Sequence, residues 1–340
     1  MQVTTPTHRI ADATGPLWAG SPPSGWGDAL HLVSADTGRT TSDVLAASGL
    51  GWTVEQHPVE AIVAQPNAAP RRVPVPRAVA NTRSDTGAVL GVVGDGYRPL
   101  QNGEAFALAD AIVDSGAAHW LGAGSTRSGA RVHALMRLDR EIKIGGAEGE
   151  DILPLLLLRN GHDGGLALTI GVAPFRLACL NGMVLPVEGA ERSWKARHTA
   201  GVTGKLADAR RTLQIAFRYY DELERLGQQL LREPISPSEF DRFLSRLVPL
   251  PTAKSDATDS RRATGNAERL REAIRSTYLT TDDLDAVRGT RWGALQAVSA
   301  YHDHHATVRR TAGRSVPEAR FERATGPAPL KDRALALLLA

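Results

Sequence analysis

The chain has 340 residues, 42% hydrophobic and 23% charged, a balance typical of globular proteins that excludes global disorder. Its one cysteine, Cys179, excludes a disulfide-stapled scaffold and a thiolate metal site. The net charge of +3 is a weak indication of a polyanionic partner. The first residues show no leader pattern, and the longest apolar run, residues 152–158, is far shorter than the roughly 20 residues that span a bilayer. We therefore expect a cytoplasmic protein with no membrane partner.

The first half of the chain predicts an irregular arm over residues 1–52, followed by an α+β sheet domain over residues 53–190. The arm is rich in Gly, Pro, Ser and Thr. Alternating apolar residues from Val54 onward predict a strand. The prolines in residues 71–79 predict an edge strand, because proline cannot donate a hydrogen bond within a central ladder.

A strand at residues 89–93 precedes an amphipathic helix that Asn102 can cap and that ends near Gly116. Four strands should follow, since the hydrophobic period then changes from helical spacing to alternation. They are a hairpin at residues 120–123 and 131–138, a strand at 152–158 that is apolar enough to be buried on both faces, and a returning strand at 166–172.

The rest of the chain, residues 191–340, has helical periodicity. The predicted helices cover residues 206–232, 240–250, 267–278, 291–310 and 334–340, with a mobile polar loop at 252–264. The predicted fold class is therefore α+β, with a central antiparallel sheet, packed helices and a helical C-terminal region.

Several of these segments resemble a phage- and plasmid-borne family, catalogued as domain-of-unknown-function family 932. The segments that carry the resemblance are Y-R-P-L-Q-N at residues 97–102, the turn at 163–164, P-F-R-L-A-C-L-N at 174–181, H-T at 198–199, W-G-A-L-Q-A-V at 292–298 and L-K-D-R-A at 330–334. The match covers roughly residues 90–340, and Gln296 departs from the family's asparagine. The resemblance implies a mobile element, in which DNA replication, recombination and host takeover are the usual tasks.

The segment from Arg192 to Arg211 carries six basic side chains against one acid, Asp208. A basic groove with an aromatic ring for stacking is typical of single-strand binding. The residues predicted to bind phosphates are Lys195, Arg197, Lys205, Arg210 and Arg211, with Trp194 stacking on a base. Arg176 could grip a phosphate through its guanidinium fork or form an internal salt bridge.

Four arginines also recur every seven residues in the predicted 206–232 helix and stay near one face: Arg211, Arg218, Arg225 and Arg232. Acidic residues interleave with them, so this face could equally be an ordinary solvated surface.

Evidence for catalysis is weaker. The pair His162 and Asp163 could bind a metal or act as a base, but its glycine-rich surroundings favour a turn. His302 and His305 could share a helix face, although a solvated helix end is the simpler interpretation. Cys179 sits among apolar neighbours and is expected to pack. The sequence contains neither a phosphate-binding loop nor a hydrolase elbow.

The leading hypothesis is a nucleic-acid-binding protein that binds and anneals single-stranded DNA in recombination or replication. The order of a helix followed by hairpins is broadly similar to phage single-strand annealing proteins, which need no nucleotide cofactor and work as oligomeric rings or filaments. We accordingly expect no cofactor and a possible homo-oligomer. Two alternatives are a metal-dependent enzyme built from His162, Asp163, Arg176, His302 and His305, and a non-catalytic host-interaction or structural protein.

Overall fold

A computed structural model of the chain describes residues 26–33, 40–146, 149–177, 181–195, 202–251, 257–311 and 313–340. Most of the predicted N-terminal arm, Cys179 and residues 252–256 of the predicted mobile loop lie outside these ranges. Among the described residues, no helix is both long and apolar enough to cross a bilayer.

The strands form three antiparallel sheets. In chain order they are β1 (His31–Leu32), β2 (Val54–Gln65), β3 (Ala68–Arg83), β4 (Val89–Gly94), β5 (Ala118–Thr126), β6 (Arg131–Leu138), β7 (Lys143–Ile144), β8 (Glu150–Leu153), β9 (Leu155–Gly161), β10 (Thr169–Val172), β11 (Phe175–Arg176), β12 (Asn181–Gly182) and β13 (Ser193–Lys195). The central sheet has the order β1-β5-β6-β9-β10-β13, and the smaller sheets have the orders β12-β11-β8-β7 and β2-β3-β4.

The α-helices lie mainly in the second half of the chain. They are α1 (Thr41–Ala47), α2 (Asn102–Val113), α3 (Val202–Arg232), α4 (Pro237–Leu247), α5 (Ala257–Thr280), α6 (Arg291–Ala300), α7 (Val316–Thr325) and α8 (Pro329–Leu339). A single π-helical turn, Tyr301–His305, follows α6 directly. The predicted α+β class with a helical C-terminal region is confirmed.

The central sheet is covered on both faces, and β9 shows why its sequence is almost continuously apolar. Leu156 and Leu158 belong to the larger core, which α2 and α3 close from one side. Leu155 and Leu157 point to the other face and pack in a second core that contains Trp26 and Phe321. Alternate side chains of a strand point to opposite faces, so burial on both sides requires apolar residues at every position.

The predicted strand at 152–158 is in fact two strands in different sheets. Pro154 lies between β8 and β9, and β8 pairs with β7 and β11, whereas β9 pairs with β6 and β10. Proline lacks the N–H that would continue one ladder, and the chain passes from the small sheet to the central sheet at this residue.

The edge strand predicted at residues 71–79 also requires correction, because β3 lies between β2 and β4. However, β4 pairs only with Ala78–Thr82 of β3, and Pro74 and Pro76 precede that stretch. In the stretch that contains the prolines, β3 has one hydrogen-bonded neighbour, β2. The physical argument therefore holds locally, although the strand as a whole is central.

Several helices differ from the sequence prediction. Helix α5 begins at Ala257, so residues 257–264 of the predicted mobile loop are helical. The predicted helix over 291–310 stops being α-helical at Ala300, and α7 was not predicted. Gln101, not Asn102, precedes the first turn of α2.

In the described part of the chain, the main core joins the sheets to the helices. One cluster of buried side chains extends from Val33 to Leu338, and β13, which falls within the predicted helical region, completes the edge of the central sheet. The proposed boundary at residue 190 thus falls before the last strand of this sheet, and the domain division itself stays a prediction.

Gly182 provides a test of how closely the small sheet packs against the helices. A β-carbon at this position would overlap the backbone carbonyl of Ala324 in α7. We expect Gly182→Ala to lower the free energy of unfolding by about 1–3 kcal/mol or more, because a backbone atom cannot move aside as a side chain can. Urea unfolding followed by circular dichroism measures the loss.

The matched control is Gly51→Ala, since nothing lies within 4 Å of a β-carbon there. We expect its stability to stay within about 0.5 kcal/mol of the unsubstituted protein. Equal stability of the two variants would show that β12 and α7 do not approach each other in this way.

Candidate nucleic-acid interface

Helix α3 is fixed in rotation by one buried face. Tyr219 and Tyr220 are fully buried, and their hydroxyl groups donate hydrogen bonds to the carbonyls of Leu185 and Leu155 at 2.9 and 2.6 Å. Leu223 packs in the same core. These contacts turn the opposite face of the helix to solvent.

The exposed face carries the arginines that recur every seven residues. We call Arg211, Arg218, Arg225 and Arg232 the arginine stripe; all four side chains are exposed. At a rise of 1.5 Å per residue the stripe is about 31 Å long, and each step drifts by only about 20° around the helix. An open concavity lined by Arg225, Gln228, Gln229, Arg232 and Glu233 lies at its C-terminal end.

Two of the acidic residues of α3, Asp221 and Glu224, pair with an arginine that lies outside the helix. Arg140, which follows β6, lies 2.6 Å from Asp221 and 3.5 Å from Glu224. Glu222 pairs with Arg225 within the helix at 2.9 Å. In the described part of the chain, Arg211, Arg218 and Arg232 take part in no ion pair, so the stripe keeps a net positive charge.

Two of the predicted phosphate-binding residues lie on this exposed face or beside it. Arg211 is the first member of the stripe, and Arg210 is its exposed neighbour. Lys195 is exposed on β13, where alternation directs it away from the side on which Trp194 packs. Arg197 and the side chain of Lys205 lie outside the described residues.

The predicted stacking role of Trp194 does not fit its position. Its side chain is 9% exposed, belongs to the main core, and donates from Nε1 to the hydroxyl of Thr212 in α3 at 3.3 Å. A nucleic-acid base could not reach the ring face without opening this contact. Trp194 instead fastens β13 to α3.

Arg176 is also buried, at 1% exposure, and cannot grip an external phosphate. Its guanidinium pairs with Glu150 and donates to the carbonyl of Asp283 at 2.6 Å. Glu150 in turn accepts a hydrogen bond from Nε1 of Trp292 at 2.7 Å. Of the two alternatives for Arg176, the structure contains the internal salt bridge.

The pair His162 and Asp163 forms the turn that its glycine-rich surroundings predict. Asp163 accepts a hydrogen bond from the backbone N–H of Gly165 at 2.8 Å, and its carboxylate pairs with Arg131. The buried ring of His162 donates from Nε2 to Oδ1 of Asn102 at 2.9 Å. This tautomer follows because the amide nitrogen of Asn102 donates to the carbonyl of Leu50.

Polar side chains of β3, β9 and the segment before α2 surround this histidine. Asn81 donates to the carbonyl of His162 at 2.7 Å, and Tyr97 donates from its hydroxyl to the carbonyl of Gly161 at 3.0 Å. The amide of Asn160 donates to the carbonyl of Leu100 at 3.0 Å. We call this network the latch, since it joins the β2-β3-β4 sheet and α2 to the end of β9.

The histidines after α6 do not form the predicted pair on one α-helical face, because Tyr301–His305 is a π-helical turn. His302 contacts the buried carboxylate of Asp303 through Nδ1 at 2.8 Å, and His305 is exposed. Within the ranges that the structure describes, no group of three or more His, Cys, Asp or Glu side chains could hold a metal ion.

The hypothetical enzyme site is therefore not assembled. His162 contacts Asn102, Arg176 contacts Glu150, and His302 contacts Asp303, so these three side chains belong to three separate networks. Each of the three therefore has a partner within the fold. The structure uses these residues to hold elements together.

The protein is therefore of the α+β class, and its candidate site is the exposed row of positively charged side chains on α3. The family model described as Domain of unknown function (DUF932) matches residues 89–324, and the chain therefore belongs to this family. The family assignment made from sequence is confirmed, while the phage and plasmid setting stays a prediction. Comparisons with curated proteins and with solved structures found no match.

The latch makes stability depend on pH through His162. Burial lowers the pKa of this histidine from 6.5 to about 4, against a smaller opposing effect of Asp163. As pH falls below about 6.5, the unfolded chain therefore binds a proton that the folded chain does not, and stability is lost. Between about pH 7 and about pH 5 we expect His162 to account for a loss of about 2 kcal/mol.

The measurement is urea unfolding at both pH values for the unsubstituted protein and for His162→Gln, which retains an N–H donor without titrating in this range. We expect the pH dependence to be shallower in the variant. The exposed histidine provides the control, because His305→Gln should leave the pH dependence unchanged. Identical pH dependence in all three proteins would contradict the assignment.

Proposed function

We propose that this protein binds nucleic acid along the arginine stripe of α3, with single-stranded DNA as the favoured ligand, and that it promotes strand annealing in recombination or replication. The observation that carries the proposal is a row of four exposed arginines on one helix face. Arg140, outside the helix, pairs with two of the neighbouring acids, Asp221 and Glu224, and Glu222 pairs with Arg225 alone. Phosphate neutralisation by such side chains supplies most of the affinity in sequence-independent binding.

The shape of the stripe favours a single strand over a duplex. The stripe winds by only about 60° around its helix over about 31 Å, whereas a duplex strand completes a full helical turn in about 34 Å. A flexible single strand can follow the row of guanidinium groups over its whole length.

Because Trp194 is buried, the stacking of its ring on a base is not part of the proposed function. Annealing does not require this contact. A protein that binds only phosphates leaves the pairing edges of the bases free, as base pairing with a second strand requires. Annealing also requires no covalent bond to be formed or broken, so the proposed function needs no catalytic residue. A metal-dependent enzyme has less support, because His162, Arg176 and His302, which were proposed for its site, lie in separate networks.

The first test is binding of the full chain to labelled single-stranded DNA, duplex DNA and RNA, by fluorescence anisotropy over a salt series. We expect tightest binding to single-stranded DNA. Reversing two charges in Arg211→Glu/Arg218→Glu should weaken binding about ten-fold or more at low salt. The slope of log affinity against log salt should fall by about 1.4, since each phosphate contact on a single strand contributes about 0.7.

The matched control is Arg242→Glu/Arg246→Glu, which makes the same change of net charge at exposed arginines of a different helix, α4. Equal loss of affinity in the two variants would show that overall charge, and not the stripe, determines binding. Absence of binding at low salt would rule out the proposed function.

The second test is annealing itself, followed as quenching when two complementary labelled strands pair. We expect the protein to accelerate pairing without a nucleotide cofactor, and the Arg211→Glu/Arg218→Glu variant to lose most of the acceleration. Tight binding without any acceleration would leave a single-strand-binding protein and would refute annealing.

A further inference from the structure

The hairpin of β2 and β3 extends beyond the three-stranded sheet. Strand β4 pairs only as far as Ala78, whereas β2 and β3 continue to pair from Glu60 opposite Pro74 to Gln65 opposite Ala68. We call residues 59–74 the ribbon. Every residue from 60 to 72 is exposed, so neither face of the ribbon packs against the described body of the protein.

The β2 half of the ribbon is unusually apolar for a segment exposed to solvent. The β2 half is Val59-Glu60-Ala61-Ile62-Val63-Ala64-Gln65, in which the one charge, Glu60, lies 3.5 Å from Arg72 across the hairpin. Ile62 is 72% exposed and Val63 is 44% exposed, and alternation places these neighbours on opposite faces. An isolated two-stranded hairpin is only marginally stable in water, and an exposed apolar edge readily pairs with another strand.

The two edges of the ribbon differ in their capacity to pair. Along the β3 edge, Pro70 and Pro74 lack the backbone N–H that a further strand would require, and Pro76 follows directly. The β2 edge contains no proline between residues 59 and 65. One edge is thus open and the other is blocked, so pairing would stop after one strand is added.

Because only one edge can pair, the ribbon can accept one further strand. A second copy of the same chain can supply this strand through its own β2 edge. If two β2 edges pair antiparallel about a two-fold axis at Ile62, Ala61 lies opposite Val63 and Glu60 lies opposite Ala64. No like charges meet in this register, and most facing side chains are apolar. Such an interface is isologous, the commonest symmetry of protein dimers.

We propose that two copies of this chain associate through the open β2 edge of the ribbon, forming one antiparallel sheet with the strand order β3-β2-β2-β3. The pairing satisfies the free backbone groups of the open edge, and side chains of the two β2 strands lie beside one another on both faces of the joint sheet. This inference stands independently of nucleic-acid binding.

The test is sedimentation velocity of the full chain over a concentration series, with circular dichroism to confirm folding. We expect a species of twice the 36.3 kDa chain mass. The variant Ile62→Lys should shift the association by about ten-fold or more towards the monomer, because two lysines would meet at the two-fold axis. The matched control is Val89→Lys, at a position in β4 that is 63% exposed, which should still dimerise.

A second measurement does not depend on destabilising the dimer. In a Cys179→Ala background, which removes the one native cysteine, Ile62→Cys should form an intermolecular disulfide under mild oxidation. Facing residues of antiparallel strands have β-carbons about 4.5–5.5 Å apart, near the range that a disulfide bridges. Val89→Cys in the same background should not crosslink.

Three results would overturn the proposal. The first is a monomer at every concentration together with no crosslink at position 62. The second is equal dissociation by Val89→Lys, which would assign the interface to β4. The third is a monomer whose affinity for DNA falls on Arg71→Glu/Arg72→Glu substitution, since the ribbon would then be a nucleic-acid-binding arm.

Discussion

The arrangement of the helical region depends on a carboxylate that has no access to water. The Asp303 side chain is fully buried, and its Oδ2 accepts hydrogen bonds from Lys331 of α8 at 2.7 Å and from the backbone of Gly182 in β12 at 2.9 Å. Burial alone would raise the pKa of Asp303, but Lys331 and His302 outweigh it and hold the pKa below its ordinary value. Removing the carboxylate would leave the Lys331 ammonium buried without its counter-charge, at a cost of about 3–5 kcal/mol.

The buried pair of Arg176 and Glu150 repeats this constraint at the neighbouring strand. Trp292 joins it from α6, so both pairs connect the small sheet to helices more than a hundred residues later in the chain. Since α6 and the sheets also contact α3, the position of the exposed helix face depends on these connections. The surface that we propose for nucleic acid is therefore oriented by groups that no ligand touches.

The elements that could be predicted from sequence are those whose cause is local. The apolar stripe of α3 and the continuous apolar run of β9 follow from periodicity, and the Asp163 turn follows from its glycine neighbours. The burial of Trp194 and Arg176 has a distant cause, because each depends on a partner in another element, Thr212 and Glu150. Neither tryptophan nor arginine carries a local signal that distinguishes an internal partner from an external ligand, so the sequence predicts a stacking role for Trp194 and leaves both alternatives open for Arg176.

Arg140 influences the charge of the arginine stripe without being part of it. This residue lies outside α3, yet it engages Asp221 and Glu224, whose charges would otherwise lie among the arginines. If the arginine stripe binds nucleic acid as proposed, Arg140 raises the local potential from outside the stripe by neutralising acids that would repel a polyanion. Loss of affinity after its substitution would resemble loss of a direct contact, although the missing charge never reached the bound molecule. Footprints inferred from substitution data alone would consequently extend beyond the true contact surface of this protein.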